Sequence, residues 1–430
     1  MVIITGVFVA SAQGVVVTVR NTTVFVLPTN ASETQKLLQF ELRQDAGDIA
    51  EAPEIAENKA TKLKQATQPV PPSNRITAIL LFQPQYCEHL ALLLLVDERR
   101  LVHYELNLSA ETLLLKTLRS VPRSATCMTV GTLKITNGEM KHVVILGQKT
   151  GEVVAVPFPD VARDLKMLLG HTTSMITHVA LNHDSSLLLT ADRDEKLRVS
   201  RFPNAAIIES YCLGHAASLT KVACSSVTPE LVVSTSIDNT LKLWDMTTGK
   251  LLATKTLLVG LDVSIEHADK DEANDEDSDR KAAKSLLNVS LSICSKTNIV
   301  AVLVNYQYVR FFEIECDKGI PTMREMAIPI EDEQLLLANE PCEILFTEDE
   351  MLAVSYKKNP FLQLYSISKG ENKRLSPVDF NSNVLNDFRS AAAAIELVDD
   401  EESALDTLED GLKKKKARTG EGNKMVPGDK

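Results

Sequence analysis

The residues best suited to chemistry in this chain are three acidic side chains interleaved with cations. Asp192, Asp194 and Glu195 lie close together, and paired carboxylates are used for general acid and base catalysis. Arg193 and Lys196 stand between and beside them, and such cations keep the pKa of a carboxyl group low. A low pKa suits a charged turn better than a proton shuttle. The pattern therefore predicts a charged turn and not a catalytic pair. Its charges are either solvated or matched to opposite charges on a partner.

Other motifs for catalysis or cofactor binding are missing from the sequence. It contains no Gly-x-x-x-x-Gly-Lys phosphate loop, no Gly-x-Gly-x-x-Gly, no His-Glu-x-x-His and no Gly-x-Ser-x-Gly. The seven cysteines are scattered without a Cys-x-x-Cys pair, which argues against a zinc ribbon and indicates a reducing compartment. We therefore predict no catalytic residues, no metal and no cofactor of the chain's own, and we favour binding over catalysis.

Two of the eight histidines belong to an internal repeat. Gly170-His171 precedes Asp194 as Gly214-His215 precedes Asp238, and each matching position recurs after 44 residues. A Gly-His opening, a period of about 40–45 residues and a closing Trp244-Asp245 are typical of one four-stranded blade of a β-propeller. The sequence therefore predicts that the chain contains such blades.

The repeat also predicts a structural network within each blade. The imidazole of the Gly-His pair is expected to bond the Asp of a tight turn, and a strand hydroxyl and the Trp side chain would extend that network. Buried polar groups linked in this way fix how one strand lies on the next. The expected members are His171, His215, Ser234, Ser236, Asp238 and Trp244.

Short β-branched runs separated by polar turns continue on both sides of the repeat. They predict an all-β WD-repeat β-propeller of about seven four-stranded blades over residues 1–385. Residues 1–12 end in Ala10-Ser11-Ala12 as a signal peptide can, but no Lys or Arg precedes the apolar run, so a strand is expected there. The N-terminal strands are expected to share a blade with the C-terminal strands and so to clasp the ring.

Three segments interrupt the strand pattern. Residues 29–74 are a low-complexity insertion, either disordered or a helix followed by a loop, residues 262–284 are an acidic insertion, and residues 386–430 are a disordered tail, first acidic and then Lys-rich. The net charge of −12 makes the chain alone a poor ligand for nucleic acid. A basic cluster in the tail is typical of a nuclear localisation signal or of a nucleic-acid contact. It consists of Lys413, Lys414, Lys415, Lys416 and Arg418.

Three stretches of the sequence resemble a known family. The runs from Leu189 to Ser200, from Ile208 to His215 and from Asp238 to Trp244 closely resemble the WD-repeat subunit of tRNA (guanine-N(7)-)-methyltransferase, called wuho in flies. The resemblance is strong over residues 165–255 and only architectural elsewhere. The Arg-Asp-Glu-Lys turn at 193–196 is its most specific feature, and the resemblance includes Ser200 where other repeats have Trp.

The resemblance implies a non-catalytic scaffold subunit. It would bind and stabilise a separate catalytic subunit, which carries S-adenosylmethionine, for 7-methylguanosine formation in the tRNA variable loop. Asp194, Glu195 and Lys196, with Arg193 beside them, would meet this partner, and Arg198 would hold the acidic turn in place. The chain would then contact tRNA through the complex. It would not bind a membrane. The nucleus, with the cytoplasm as a second location, and germ-cell differentiation are further expectations.

Two other functions stay open at this point. One is a general WD-repeat adaptor in a ubiquitin-ligase or chromatin complex, and the other is an enzyme with its active site in the central channel of the ring. Co-purification of a methyltransferase separates the scaffold from the adaptor. Methylation of tRNA by the isolated chain would favour the enzyme.

Overall fold

Seven antiparallel sheets of four strands each are formed by the described residues of the chain, in a computed structural model. The described residues are 7–29, 36–42, 75–85, 87–134, 139–161, 163–258, 289–306, 308–317, 319–326, 328, 340–368, 373–378 and 382–395. The predicted acidic insertion at 262–284 and the basic cluster at 413–418 lie outside these residues. The prediction of a seven-bladed propeller is confirmed.

The first four blades follow one another along the chain, each with its strands in sequence order or its exact reverse in the sheet. Blade 1 contains β1 (Val7–Ala12), β2 (Val15–Arg20), β3 (Thr23–Pro28) and β4 (Leu38–Glu41). Blade 2 contains β5 (Ile76–Phe82), β6 (Leu90–Val96), β7 (Arg100–Asn107) and β8 (Thr112–Ser120). Blade 3 contains β9 (Ala125–Lys134), β10 (Met140–Gln148), β11 (Glu152–Pro157) and β12 (Lys166–Gly170). Blade 4 contains β13 (Ile176–Leu181), β14 (Leu187–Asp192), β15 (Lys196–Arg201) and β16 (Ile208–Leu213).

Three further blades and one helix complete the described part of the chain. Blade 5 contains β17 (Leu219–Cys224), β18 (Leu231–Ser236), β19 (Thr240–Asp245) and β20 (Lys250–Thr256). Blade 6 contains β21 (Val289–Ile293), β22 (Ile299–Val304), β23 (Tyr308–Asp317) and β24 (Ile320–Met326). Blade 7 contains β25 (Pro341–Phe346), β26 (Leu352–Tyr356), β27 (Leu362–Ile367) and β28 (Leu375–Pro377). Helix α1 (Ser382–Ala393) follows blade 7.

The apolar sequence of the second strand in each blade follows from its burial on two faces. Every residue of β6, β18 and β22 is buried, because a blade packs against a neighbour on each side. A strand covered on both faces reads as a continuous apolar run, whereas a strand with one face in water alternates. The fourth strands, such as β8 and β20, are mostly half-exposed and carry Lys and Thr. They therefore lie at the periphery of the ring.

The ring is closed by seven apolar clusters, one at each junction between consecutive blades. The junction of blades 4 and 5, for example, buries Leu189, Leu197 and Val199 against Leu219 and Val232. The first strand of each blade lies beside the first strand of the next, and β25 lies beside β1. These strands surround the axis, so no blade has an uncovered inner edge.

The expected strand exchange between the chain ends is wrong. Strands β1–β4 form a blade of their own, and so do β25–β28. The reason is that residues 38–41, inside the predicted insertion at 29–74, supply a fourth strand for the N-terminal meander. Blade 1 is therefore complete without a C-terminal strand, and side chains must hold the two ends together.

Among the described residues, four charged side chains bridge blades 1 and 7, including Arg20 and Glu343. The buried guanidinium of Arg20 donates to the carbonyl oxygens of Tyr356 at 3.1 Å and Lys357 at 3.2 Å and lies 4.4 Å from the ring centre of Phe361. Burial lowers the pKa of Arg20 to about 10, so the cation persists at neutral pH. Near the axis, the Val9 amide donates to the Glu343 carboxylate at 2.9 Å. These contacts replace the backbone pairing that a shared blade would provide.

Helix α1 corrects the predicted start of the disordered tail at residue 386. The helix spans Ser382–Ala393 and packs on the junction of blades 7 and 1. Its Phe388 is fully buried and meets Phe25 edge-on, with ring centres 5.2 Å apart. Apolar residues at helical spacing, including Leu385 and Ala392, form its buried face. The rest of the predicted tail, 396–430, lies outside the described residues.

The predicted strand near the N-terminus is present as β1 (Val7–Ala12). Its Val9 and Ala10 are buried at junctions on either side of blade 1. Among the described residues, no helix is both long and apolar enough to cross a membrane.

Replacing Phe388 by Ala is expected to destabilise the ring by about 3 kcal/mol, because a large buried aromatic side chain is lost from the junction of blades 7 and 1. Urea unfolding measures the change. The matched control is Asn386→Ala, at an exposed position of the same helix, which should leave the unfolding midpoint unchanged. Equal midpoints for the two variants would show that α1 does not stabilise the ring.

Candidate partner-binding site

The predicted network is seen most completely in blade 5. The ring of His215 bonds the Asp238 carboxylate through Nδ1 at 2.8 Å and the Ser234 hydroxyl through Nε2 at 2.8 Å. An ionised carboxylate only accepts, so Nδ1 carries the proton and Nε2 accepts from Ser234. The indole of Trp244 also donates to Ser234, at 2.8 Å. Ser236, the other predicted hydroxyl, instead bonds the Ala217 carbonyl and the Asp238 amide.

Blade 4 builds the same network with a different acid from the one that the repeat offset suggests. His171 Nδ1 bonds Asp192 at 2.9 Å, and its Nε2 meets the Thr190 hydroxyl at 2.8 Å. Asp194, which matches Asp238 in the offset, is exposed, and its backbone amide donates to Ser174. Asp192 takes over because it ends β14, where its second oxygen accepts the Lys196 amide at 2.9 Å and closes the turn.

Both network carboxylates stay ionised well below neutral pH. Burial by itself would raise the pKa of Asp192, but the hydrogen bonds from His171 and from the Lys196 amide outweigh it, and the net pKa is lowered. The same balance, with His215 and Thr240 as donors, lowers the pKa of Asp238 below its ordinary 3.8. Each carboxylate therefore accepts hydrogen bonds as an anion at physiological pH.

The structure contradicts the expected role of Arg198. Its side chain does not reach the acidic turn but is buried inside the blade, where only 8% of the residue is exposed. The guanidinium donates to the Ser200 hydroxyl at 2.9 Å and to the Ala205 carbonyl at 2.8 Å, and one amino group points at the Gly170 carbonyl at 3.5 Å. Arg198 points inward because residues of β15 alternate between two faces that are both covered by neighbours.

The third strands of blades 4 and 5 differ in the large side chain that each one buries. Trp244 fills the space beside Gly214 in blade 5, with a ring carbon 3.3 Å from the place where a Cβ on that glycine would lie. Ser200 occupies the matching position in blade 4, and at Gly170 a carbon of the Met167 side chain lies 3.5 Å from the corresponding Cβ position. The Arg198 guanidinium extends over Ser200 toward the carbonyl of Gly170, the counterpart of Gly214. Blade 4 thus buries a hydrogen-bonded guanidinium in its third strand, whereas the third strand of blade 5 buries an indole.

The charged turn itself faces outward. Arg193, Asp194, Glu195 and Lys196 are all exposed, between the buried Asp192 and the start of β15. The single ion pair recorded among the four joins Arg193 to Asp194 at 3.9 Å, between side chains that are about half exposed. Glu195 adopts a left-handed backbone conformation with φ of 73°, which this tight turn requires. The turn therefore presents charges of both signs to solvent.

The equivalent turn of blade 2 uses its charges within the ring. Glu98 pairs with Lys149 of the next blade at 2.6 Å, and Arg99 donates to the Pro122 carbonyl at 2.8 Å and the Ser124 hydroxyl at 3.1 Å. In the described residues, the Glu195 and Lys196 side chains have no such ion pair with a neighbouring blade. The charged side chains of this turn thus contact neighbouring parts of the ring in blade 2, whereas in blade 4 they face solvent.

Sequence reasoning overlooked three members of this site. Thr190 is the hydroxyl that bonds His171, and its match to Ser234 at the 44-residue offset was a signal that could have identified it. Tyr211 and Leu213 are exposed on β16, and no sequence pattern marks them as surface residues. Among the described residues, no group of three or more His, Cys, Asp or Glu side chains is placed to hold a metal ion.

Comparison with known proteins finds a family model that matches the central blades. Residues 147–359 match the family described as tRNA methyltransferase TRM82 WD40 domain. The match begins in β10 and ends after β26, so it contains the charged turn and both histidine networks. The resemblance inferred from the Arg-Asp-Glu-Lys turn is thereby confirmed.

Curated relatives carry the corresponding name. The "tRNA (guanine-N(7)-)-methyltransferase non-catalytic subunit WDR4" of Mus musculus is 38% identical over 109 residues, which cover 25% of this chain and 26% of that protein. The subunit named wuho of Culex quinquefasciatus is 31% identical over 160 residues, which cover 37% of each chain. The chain thus spans about a quarter to somewhat over a third of the length of these relatives.

A solved structure supports the fold. A chain in the "Crystal Structure of Mitotic Checkpoint Complex" superposes with a TM-score of 0.50 at 12% identity, covering 80% of this chain and 83% of that one. At this identity the likeness concerns the fold alone.

Replacing Arg198 by Lys is expected to destabilise blade 4 by about 2 kcal/mol, because the Ala205 carbonyl and Ser200 hydroxyl lose a buried donor. Adding Ser200→Trp to that variant gives Lys-Val-Trp, close to the Lys-Leu-Trp of β19, and should recover most of the loss. Urea unfolding midpoints of the single and double variants measure both effects. A double variant less stable than the single one would contradict the exchange of arginine for indole.

Replacing Asp238 by Asn is expected to cost about 1–2 kcal/mol near neutral pH, because the ionised acceptor of His215 is lost. The folded pKa lies below the ordinary 3.8, so the carboxylate stabilises the ring above that pH and the contribution is lost as pH falls below it. The difference in unfolding free energy between variant and unmodified protein should therefore begin to narrow as pH falls below 3.8, and it should continue to narrow at lower pH in urea titrations. Asp194→Asn, at an exposed position, is the control and should show no such gap.

Proposed function

We propose that this chain is a non-catalytic scaffold subunit that binds and stabilises the catalytic subunit of a tRNA guanine-N7 methyltransferase. The match of residues 147–359 to the TRM82 WD40 family and the names of the curated relatives support the proposal. The catalytic subunit would carry S-adenosylmethionine and form 7-methylguanosine in the variable loop of tRNA. This chain would contribute a rigid binding surface.

The observation that carries the proposal is the exposed turn of blade 4. Asp194, Glu195 and Lys196 face solvent on a turn whose backbone is fixed from inside by Asp192. The equivalent charges of blade 2 are used within the ring, so stability alone does not account for exposed charges at this position. Charges of mixed sign on a rigid turn suit a protein partner with the opposite pattern, since electrostatic complementarity sets specificity and association rate.

Arg198 has an indirect part in this proposal. It lies inside the blade, where it donates to the Ser200 hydroxyl and the Ala205 carbonyl, so it stabilises the blade that carries the turn without touching the turn or the partner. Arg193 stands at the start of the turn, where it is exposed and available to the partner.

The remaining expectations concern tRNA and location. Because the net charge is −12, the catalytic subunit would make most contacts with tRNA phosphates, and this chain would reach tRNA through the complex. The cluster Lys413–Lys416 with Arg418 would direct the complex to the nucleus. A reporter fused to the tail tests the location, and a purely cytoplasmic reporter would contradict it.

Reversing one charge of the turn, Glu195→Lys, is expected to weaken binding of the catalytic subunit about tenfold or more, because a complementary contact becomes a repulsive one. Surface plasmon resonance measures the affinity, and a 7-methylguanosine assay on tRNA with and without this chain measures the consequence. The matched control is Glu111→Lys, also exposed and also with positive φ, of 53°, at the β7–β8 turn of blade 2.

The control should bind as the unmodified chain does. Unchanged affinity of Glu195→Lys would discredit the turn as the interface. If the unmodified chain captures no methyltransferase subunit from cells, the scaffold proposal fails and a general WD-repeat adaptor becomes the better reading. Methylation of tRNA by the isolated chain would overturn the non-catalytic role.

A further inference from the structure

Exposed apolar side chains are concentrated on the outer strand of blade 4. Of the ten exposed large hydrophobic residues in the described part of the chain, Ile208, Tyr211 and Leu213 lie on β16 and Ile207 directly precedes it. The exposed fraction reaches 58% for Leu213. Single apolar residues on a surface are ordinary, but several on one strand indicate a binding surface.

The strand register connects this apolar surface to the charged turn. Leu213 lies directly opposite Lys196, and Tyr211 lies opposite Arg198. Residues opposite each other in an antiparallel pair share a face of the sheet. Leu213 therefore lies beside Lys196 and one residue from Glu195, so the apolar pair and the charges form one continuous surface.

The backbone beneath this surface is held in place by blade 5. Cys212, between the two apolar residues, is fully buried in the junction of blades 4 and 5. The Ser210 hydroxyl donates to the Met246 carbonyl at 2.6 Å, and Gly249 packs so closely on the Tyr211 carbonyl that a Cβ there would overlap it. The exposed side chains thus project from an ordered strand, and ordering them on binding costs little backbone entropy.

We propose that Tyr211 and Leu213 are the apolar anchor of the docking surface and that the catalytic methyltransferase subunit is its occupant. The inference rests on the proposed function and extends it from the charged turn to the neighbouring strand. The partner surface would carry an apolar pocket for Leu213, with a cation opposite Glu195 and a carboxylate opposite Lys196. The relatives that are named non-catalytic subunits of a tRNA methyltransferase support this choice of occupant, since such a subunit needs a catalytic partner.

The anchor and the charges have separable kinetic roles. Buried apolar contacts at the centre of an interface hold most of the binding energy and slow dissociation. Charges at the rim mainly raise the association rate, and salt screens that effect. Substitution of Leu213 should therefore raise koff at any salt concentration, whereas Glu195→Lys should lower kon mainly at low salt.

The experiment is surface plasmon resonance of the full chain against the catalytic methyltransferase subunit of the same organism. Leu213→Ser is expected to raise Kd about tenfold or more by raising koff. The separate variant Leu213→Met is expected to keep Kd within about threefold of the unmodified chain, because Met is also apolar. The matched control is Leu114→Ser, on the outer strand β8 of blade 2, where the leucine is 51% exposed. Thermal unfolding of each variant shows that the ring is folded.

The outcomes separate this inference from the proposed function. If the unmodified chain binds the catalytic subunit and Leu213→Ser binds equally well, the anchor is disproved while the scaffold function stands. An equal loss of binding in Leu114→Ser also disproves it. If the unmodified chain does not bind the subunit, both the scaffold function and the anchor are disproved. A dimer of the isolated chain, seen by sedimentation and abolished by Leu213→Ser, would assign the surface to self-association instead.

Discussion

The hydrogen bonds of the Asp192 carboxylate fix the backbone of the exposed, charged turn at residues 193–196. One oxygen accepts from His171, which enters from the last strand of blade 3, and the other accepts from the Lys196 amide across the turn. The buried anion thus ties one blade to the next and closes the turn between β14 and β15. Because the backbone of the turn is satisfied from inside, the side chains of Asp194, Glu195 and Lys196 need no partner within the ring.

A closed ring extends this local constraint to the whole surface. Each blade is packed between two others through the seven apolar junctions. A blade that tilted would separate the buried side chains of at least one junction. The ends of the chain are joined by Arg20, Glu343 and helix α1 and not by an exchanged strand. A surface that spans two strands of one blade, such as the turn and β16, therefore keeps its geometry before any partner arrives, which favours specific binding.

Blade 4 shows how one repeat departs from its neighbour while keeping the same frame. Ser200 stands in place of a Trp, and the buried Arg198 guanidinium beside it donates to the carbonyl of Ala205 and the hydroxyl of Ser200. Thr190 replaces Ser234 as the hydroxyl below the histidine. The departures are compensated inside the blade, so the outward charges of the turn are the principal difference that a partner would meet.

The sequence by itself determined the period, the number of blades, the histidine networks and the kinship of residues 165–255, because hydrophobic runs, turn residues and a fixed offset are local properties of the chain. It did not identify Asp192 as the partner of His171, it misplaced the direction of Arg198, and it missed both the strand at 38–41 and the helix at 382–393. It also gave no sign that Tyr211 and Leu213 are exposed. Those features depend on which side chain a neighbouring blade covers, and residues distant in sequence decide that only when the ring closes.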